Sequence, residues 1–461
     1  MKRVGKIGFM FLVTGISAFS QVKNVIYFIG DGLGPSQRQI TEYYKKEVLG
    51  KDEKLAMNSM PALGITTTHS ADTLITDSAA AGTALATGVK TNNGMISMTT
   101  TGEKLKSLTD IAKEKNMKVG IITSTRLTHA TPAVFITSNE SRANENEMAT
   151  DFSKAGIDFY AGGGYRHFTP KTGDLKSSRK DDTNVIKELN EKGYKTFIGE
   201  ENSKAFLEYL PKGDEKVFAA LTSSHLPYEI DRLNNPTTPS LAQITQKGID
   251  TLSKDNPNGF FLMVEGGRID HASHAQDAVG TIMDTIAFDD AINVALDFYN
   301  KDPENTLIVV AADHETGGMG LGFGNNYALN LAALKNVKLS VEDKLQKAYK
   351  GNRDEYFSYL NKEFGLNDLT DEEKKNIEKA MDIEEKKNND EILNTYGGYA
   401  PTSIAVAHIL SQRAGLQWTS FAHTATQVPL SAKGATSENF QGFKDNTDVA
   451  KEIAKSMGGT L

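Results

Sequence analysis

The 461-residue sequence contains no cysteine. That absence excludes disulfide cross-links, thiolate metal ligands and lipid attachment at a lipobox cysteine, so any metal must be held by histidine, carboxylate and hydroxyl groups. An excess of basic charge is also missing: 51 lysines and arginines face 59 aspartates and glutamates, a net charge of −8. This leaves no cationic surface for nucleic acid, and an anionic small molecule would have to be drawn by local cations. Long apolar runs are scarce as well. The run from Ile7 to Ile16 is too short to cross a bilayer and no later segment reaches about 18 apolar residues, so no membrane span is expected. That run follows Lys2, Arg3 and Lys6 and precedes Ala18-Phe-Ser20, which offers small residues at the −3 and −1 positions. Residues 1–20 therefore read as a secretory signal peptide, which predicts an exported protein, periplasmic or extracellular.

What is present has a globular composition, 39% hydrophobic and 24% charged. From Gln21 to about Gly322, short β-branched runs alternate with helical stretches, as in Lys104 to Asn116 before Val119 to Thr123, and Leu241 to Leu252 before Phe260 to Val264. The alternation predicts an α/β fold with a large, mostly parallel central sheet and helices on both faces. Glycines accumulate from Gly317 to Gly324, and from about Val337 to Glu391 the composition shifts to Lys, Glu, Asp and Asn at helical spacing. That stretch reads as one or two exposed helices in a solvated insertion at about 324–400.

Four apolar runs end abruptly in ligand-type residues. Val25 to Ile29 ends in Gly30-Asp31-Gly32; Val119 to Thr123 leads through Arg126 to His129-Ala-Thr131; Phe260 to Val264 ends in Glu265 with Asp270, His271 and His274 close behind; Leu307 to Ala312 ends in Asp313-His314. Asp270 and His274 are four apart, so on a helix they share a face and can hold one cation. Ligands at the carboxyl ends of several parallel strands converge in space, which makes one polynuclear site the economical explanation. Ser78 lies near the start of the small-residue helix Ser78-Ala-Ala-Ala-Gly82, where free N–H groups and the helix dipole favour an alkoxide or a phosphate. His423 follows a later helix, Thr402 to Leu416; His408, inside that helix among Ala, Val, Ile and Leu, reads as a packed or capping side chain. A dinucleotide site at Gly30-Asp-Gly32-Leu-Gly34 is disfavoured, because the spacing is wrong and Asp31 would repel a pyrophosphate.

Taken together, Ile29-Gly-Asp31-Gly, Thr76-Asp-Ser78-Ala-Ala, His129-Ala-Thr131-Pro, Val264-Glu265-Gly with Asp270 and His274, Ala312-Asp313-His314 and Ala422-His423-Thr resemble the alkaline phosphatase family over most of residues 21–461. The resemblance implies hydrolysis of small phosphate monoesters to alcohol and inorganic phosphate through a phosphoserine on Ser78. It implies one zinc held by Asp270, His274 and His423, and a second by Asp31, Asp313 and His314 with Ser78 as nucleophilic ligand. Asp31 would also bridge to a magnesium site completed by Thr131 and Glu265, and Arg142, eleven residues after Thr131, would clamp the phosphate. His129 and His271 stand where some bacterial relatives carry Asp and Lys, and are implied to lie near the phosphate or the third metal as outer residues. A homodimer is that family's usual assembly, although no segment of this sequence marks an interface. The donor types agree with the chemistry: histidine-rich sets suit zinc, and the all-oxygen set Asp31, Thr131 and Glu265 suits magnesium. A phosphodiesterase or another ester hydrolase of the same superfamily is the alternative; a sulfatase is excluded because Ser78-Ala-Ala-Ala lacks the Cys/Ser-x-Pro-x-Arg context.

Overall fold

A strand apolar at every position, such as Val25-Ile-Tyr-Phe-Ile29, can persist only if both of its faces are covered. The computed structural model describes residues 21–461 apart from Asn326 and Asn388, and the signal peptide expected over residues 1–20 lies outside the described residues. Its strands are β1 (Asn24–Gly30), β2 (Ala62–Thr66), β3 (Lys118–Arg126), β4 (Phe159–Gly163), β5 (Tyr194–Ile198), β6 (Lys216–Ala220), β7 (Phe260–Gly266), β8 (Thr306–Ala312), β9 (Glu315–Thr316), β10 (His423–Thr424), β11 (Val428–Gly434) and β12 (Gly442–Lys444). Ten of them form one sheet in the order β12-β2-β11-β8-β1-β7-β3-β4-β6-β5, and β9 pairs with β10 in a separate ribbon. Only β11 runs against its neighbours β8 and β2, so the expected mostly parallel α/β sheet is what forms.

Along β1 the side chains alternate between two apolar layers. Val25, Tyr27 and Ile29 pack with Ala79, Leu85 and Phe135 on one face. Ile26 and Phe28 pack with Ile244, Phe288 and Ile292 on the other. Each such fully buried side chain is worth about 1.5–3 kcal/mol of transfer free energy, which is why the first halves of the central strands are largely apolar. The polar residues come where the strands stop. The neighbours β8, β1, β7 and β3 are flush there: Gly30 lies opposite both Gly266 and Ala312, and Thr123 lies opposite Glu265. The turn after β1 requires glycine at Gly32, where φ is +70° and a Cβ would sit 2.8 Å from the Asp270 Cα.

The charged stretch 337–391 is helical, with helices Arg353–Phe364, Asp371–Lys386 and Asn389–Tyr396. It is less solvated than its composition suggests. Tyr356, Leu360, Phe364, Ile377 and Met381 join Ile40, Val279, Ile282, Val406 and Leu410 in a third apolar cluster. Helix Asp371–Lys386 opens on a capping box between Thr370 and Glu373, and Arg413 donates to both Glu373 and Asp368, pinning the stretch to helix Pro401–Ala414. Two carboxylates of the main body dock its start: Asp231 accepts from the Ser340 N–H at 2.9 Å, and Asp277 accepts from the Val341 N–H at 2.8 Å. Among the described residues no helix is long and apolar enough to cross a membrane.

Asp277 gives the fold a testable pH dependence. Burial pushes its carboxyl up to about 6, against the lowering effect of the Gly280 and Val341 N–H donors. Because the folded pKa lies above the unfolded one, near 3.9, the native state binds the extra proton between those values. The contribution of Asp277 is therefore greatest below about pH 4 and is lost as pH rises through 6. Asp277→Asn keeps an acceptor but carries no charge, so its stability relative to the parent should rise by about 2 kcal/mol between pH 4 and pH 7. Urea unfolding of both proteins at the two pH values checks this, since all other titrating groups are common to both.

Candidate active site

Three of the four flush strand ends, those of β1, β7 and β8, deliver Asp31, Glu265, Asp313 and His314, and the short helix Arg268–His274 after β7 adds Asp270, His271 and His274. Asp31, Glu265, Asp270 and Asp313 are all buried, at no more than 3% exposure. Four carboxylates gathered out of water repel one another unless cations lie between them. Burial, reinforced by Asp313, Asp270 and Glu265, drives Asp31 well above the usual carboxylate range, and burial with Asp270 lifts Asp313 to about 7. Asp31 Oδ1, Glu265 Oε1, Asp313 Oδ2 and His129 Nδ1 are buried and have no hydrogen-bond partner. These orphaned atoms face one another in sets: Asp31, Asp313 and His314 could hold one metal, and Asp31, His129 and Glu265 another.

Asp270, His314 and His423 form a third set, which His274 adjoins, and the outer nitrogens of these histidines are all occupied. His274 Nδ1 is bonded to the Phe421 carbonyl at 2.6 Å, and His423 Nδ1 to the Thr76 carbonyl at 2.8 Å. A carbonyl can only accept, so each ring carries its proton on Nδ1 and turns the Nε2 lone pair inward. The two Nε2 atoms lie 3.1 Å apart, and 3.3 and 3.5 Å from the oxygens of Asp270. Two lone pairs at that distance need a proton or a metal between them. Without a metal a proton serves: against the lowering effect of burial, Asp270 raises His274 to about 9.

Ser78 is the first residue of helix Ser78–Thr87, and its N-cap Asp77 accepts from the Ala80 N–H. A small-residue helix can approach closely; at Gly82 an added Cβ would be 3.3 Å from Val134. The Ser78 Oγ lies 3.3 Å from His314 Nε2, which is itself 3.4 Å from Asp31 and 3.3 Å from Asp313. Arg142 points back over this helix end, donating to Asp77 at 3.0 Å and to His129 Nε2 at 3.2 Å. While that second bond stands, neutral His129 carries its proton on Nδ1, 3.9 Å from Glu265, and meets the carboxylates of Asp31 and Glu265 as a donor. Ligation through Nδ1 would require Arg142 to release it. Thr131 Oγ1 lies 3.5 Å from Asp31 Oδ2, and His271 stands beside His129 at 5.5 Å between rings, so the candidate ligands and phosphate-binding residues named from the sequence lie together. His408 stays apart, bonded to Gln276.

Residues 22–458 match the family profile described as alkaline phosphatase. The chain belongs to the alkaline phosphatase family. Alkaline phosphatase 3 of Bacillus subtilis (strain 168) is 33% identical over 447 residues, covering 95% of this chain and 89% of its own. The alkaline phosphatase of Thermus thermophilus superposes with a TM-score of 0.81 at 29% identity, over 96% of this chain and 91% of that one. A histidine-to-aspartate mutant of TAB5 alkaline phosphatase, with Mg bound in its M3 site, superposes with a TM-score of 0.67 at 27% identity, over 96% and 99% of the two chains. As a member of this family, the chain is a metal-binding phosphoric monoester hydrolase.

Several side chains that serve the phosphatase site carry no motif. Thr123 and Thr125 both donate to Glu265 Oε2. His225 lies against His271, with 4.4 Å between rings, and takes a bond from Arg126. Thr316 donates to Asp270 and accepts from His314 Nδ1, setting the tautomer of the last histidine as the two carbonyls set the others. Thr316→Val should therefore weaken metal binding about 10- to 100-fold, the usual cost of losing a partner behind a ligand, while leaving the metal-free melting temperature nearly unchanged. Competitive titration against a chelator measures the first and calorimetry the second.

Proposed function

We propose that the chain hydrolyses phosphate monoesters through a phosphoserine formed on Ser78, with two zinc ions and one magnesium ion as cofactors. The single observation that carries the proposal is the Ser78 hydroxyl at a helix amino terminus, 3.3 Å from His314 Nε2 and beside orphaned carboxylate oxygens. Asp270, His274 and His423 would hold one zinc; Asp31, Asp313 and His314 the other; Asp31, Thr131 and Glu265 the magnesium. When bound, the cations supply Lewis acidity, lowering the pKa of the serine hydroxyl and of water and stabilising the departing oxygen. The magnesium carried by the TAB5 mutant in its M3 site supports the third assignment.

The rest is done by the chain's own groups. The Ser78 Oγ, losing its proton to solvent, forms the bond to phosphorus in line as the bond to the alcohol oxygen breaks and that oxygen takes up a proton. N–H groups of the first turn of helix Ser78–Thr87 and the helix dipole stabilise the phosphoryl charge there. Arg142, its guanidinium oriented by Asp77, places its planar fork on two non-bridging oxygens. Water then attacks the phosphoserine, the Ser78 oxygen leaves and is reprotonated, and inorganic phosphate departs. Contacts of this kind reach only the phosphoryl group, so broad specificity for the alcohol is expected. Export is part of the proposal, because residues 1–20 have the signal pattern.

The test is release of p-nitrophenol from p-nitrophenyl phosphate at alkaline pH by the mature chain, before and after chelation, with zinc and magnesium restored separately. Activity lost and then regained supports the reading. A fully metallated protein that turns over diesters but not monoesters replaces it with the phosphodiesterase alternative.

A further inference from the structure

The helical stretch that begins near residue 337 reaches the cleft at one point. Arg268, the first residue of helix Arg268–His274, is 2% exposed, and its guanidinium lies 3.5 Å above the ring of Tyr228, itself fully buried. A buried cation needs counterions. Its two ion-pair partners among the described residues both come from the inserted stretch: Asp343 bonded to Nη2, and Glu342 at 3.5 Å from Nη1, with Asp284 of the main body adding a longer-range attraction. Tyr228 also donates to Glu342, and the Val341 N–H is held by Asp277, so these acids are fixed from two sides. The remaining contact of Nη1 is His271 Nδ1, at 3.1 Å.

A guanidinium has no lone pair to offer, so in this bond Arg268 is the donor and His271 Nδ1 the acceptor. Neutral His271 therefore carries its proton on Nε2, which has no protein partner among the described residues. The ring stands 5.5 Å from that of His129, the side chain bonded to Arg142. We infer that Arg268 is a positioning residue: held by Glu342 and Asp343 of the helical insertion, it fixes the ring and tautomer of His271 so that Nε2–H is presented to a phosphoryl oxygen. The inference rests on the proposed phosphomonoesterase reading. It gives the insertion a part in the site, as the source of the two carboxylates that pair with Arg268 beside His271.

The experiment uses the mature, zinc- and magnesium-loaded chain and inorganic phosphate as the probe. In the parent, the histidine 15N resonances should show His271 protonated on Nε2 alone, and in Arg268→Met the two tautomers should mix. Calorimetry should show phosphate bound about tenfold more weakly by Arg268→Met, with KM rising by a similar factor and metal content unchanged. In a His271→Ala background the same substitution should change phosphate affinity less than about twofold, because its effect passes through the ring. An equal loss in both backgrounds, or a His271 tautomer that ignores the substitution, overturns the inference. If Arg268→Met does not fold, Glu342→Gln with Asp343→Asn, which leaves the arginine in place, decides the matter: mixed tautomers and several-fold weaker phosphate binding support it, and parental behaviour overturns it. A parent that binds phosphate with the expected tautomer yet turns over no monoester would sink the functional proposal and leave Arg268 positioning His271 at an anion site.

Discussion

Ser78→Ala is expected to lower turnover of p-nitrophenyl phosphate by on the order of 10⁴-fold, as removal of a covalent nucleophile does where the rest of the site survives. Metal content and melting temperature should stay at parental values. The reason is local: Ser78 contributes its Oγ to the cleft, but helix Ser78–Thr87 is capped by Asp77, not by the serine, and a methyl group fits among the buried alanines around it. Loss of metal together with activity would show that the serine is chiefly a ligand. Activity retained within tenfold would remove the phosphoserine from the mechanism.

The second large effect is that of chelation. Stripping metal should abolish activity and lower the melting temperature by roughly 10 °C, because each site filled at a thousandfold excess over its dissociation constant contributes about 4 kcal/mol and unfolding of a chain this long is steep in temperature. The orphaned oxygens of Asp31, Glu265 and Asp313 and the paired Nε2 atoms of His274 and His423 explain the size of the change. In the stripped protein, protons on Asp313 and His274 stand in for the metals, but they satisfy fewer acceptors. Differential scanning calorimetry with and without chelator, followed by addition of zinc and then magnesium, separates the ions. An unchanged melting temperature would mean that the carboxylates are neutralised in some other way.

Most of this was legible in the sequence because parallel strands buried on both faces announce themselves twice, by an unbroken apolar run and by the polar residues that end it. The runs at Val25, Val119, Phe260 and Leu307 therefore marked both the central sheet and the ligands, and Asp270 with His274 supplied a helical spacing. Thr316, Thr123 and Thr125 were not legible, since a threonine that sets a tautomer or steadies a carboxylate looks like any strand threonine. His225 was missed for a related reason: it reaches His271 from the end of another strand, with no neighbour in sequence to mark it. The burial of stretch 337–391 was masked by composition. Ile377, Ala380, Met381 and Ile383 line one side of a helix whose other residues are almost all charged, and the charges dominated the reading. Arg268 was read past because its partners, Glu342 and Asp343, are more than seventy residues away.

The small ribbon of β9 and β10 sets an order of events during synthesis. It pairs His423 with Thr316 and Thr424 with Glu315, and stacks the His314 ring on that of His423 at 3.5 Å. Every other ligand of the cleft precedes residue 315, so the strands from β1 to β8 and the carboxylates they carry are synthesised before the last imidazole exists, whereas β11 and β12 of the sheet follow it. A chain stopped short of residue 423 carries the buried carboxylates but lacks the imidazole stacked on His314. The ligand set is therefore complete only once residue 423, more than a hundred residues after His314, has been added.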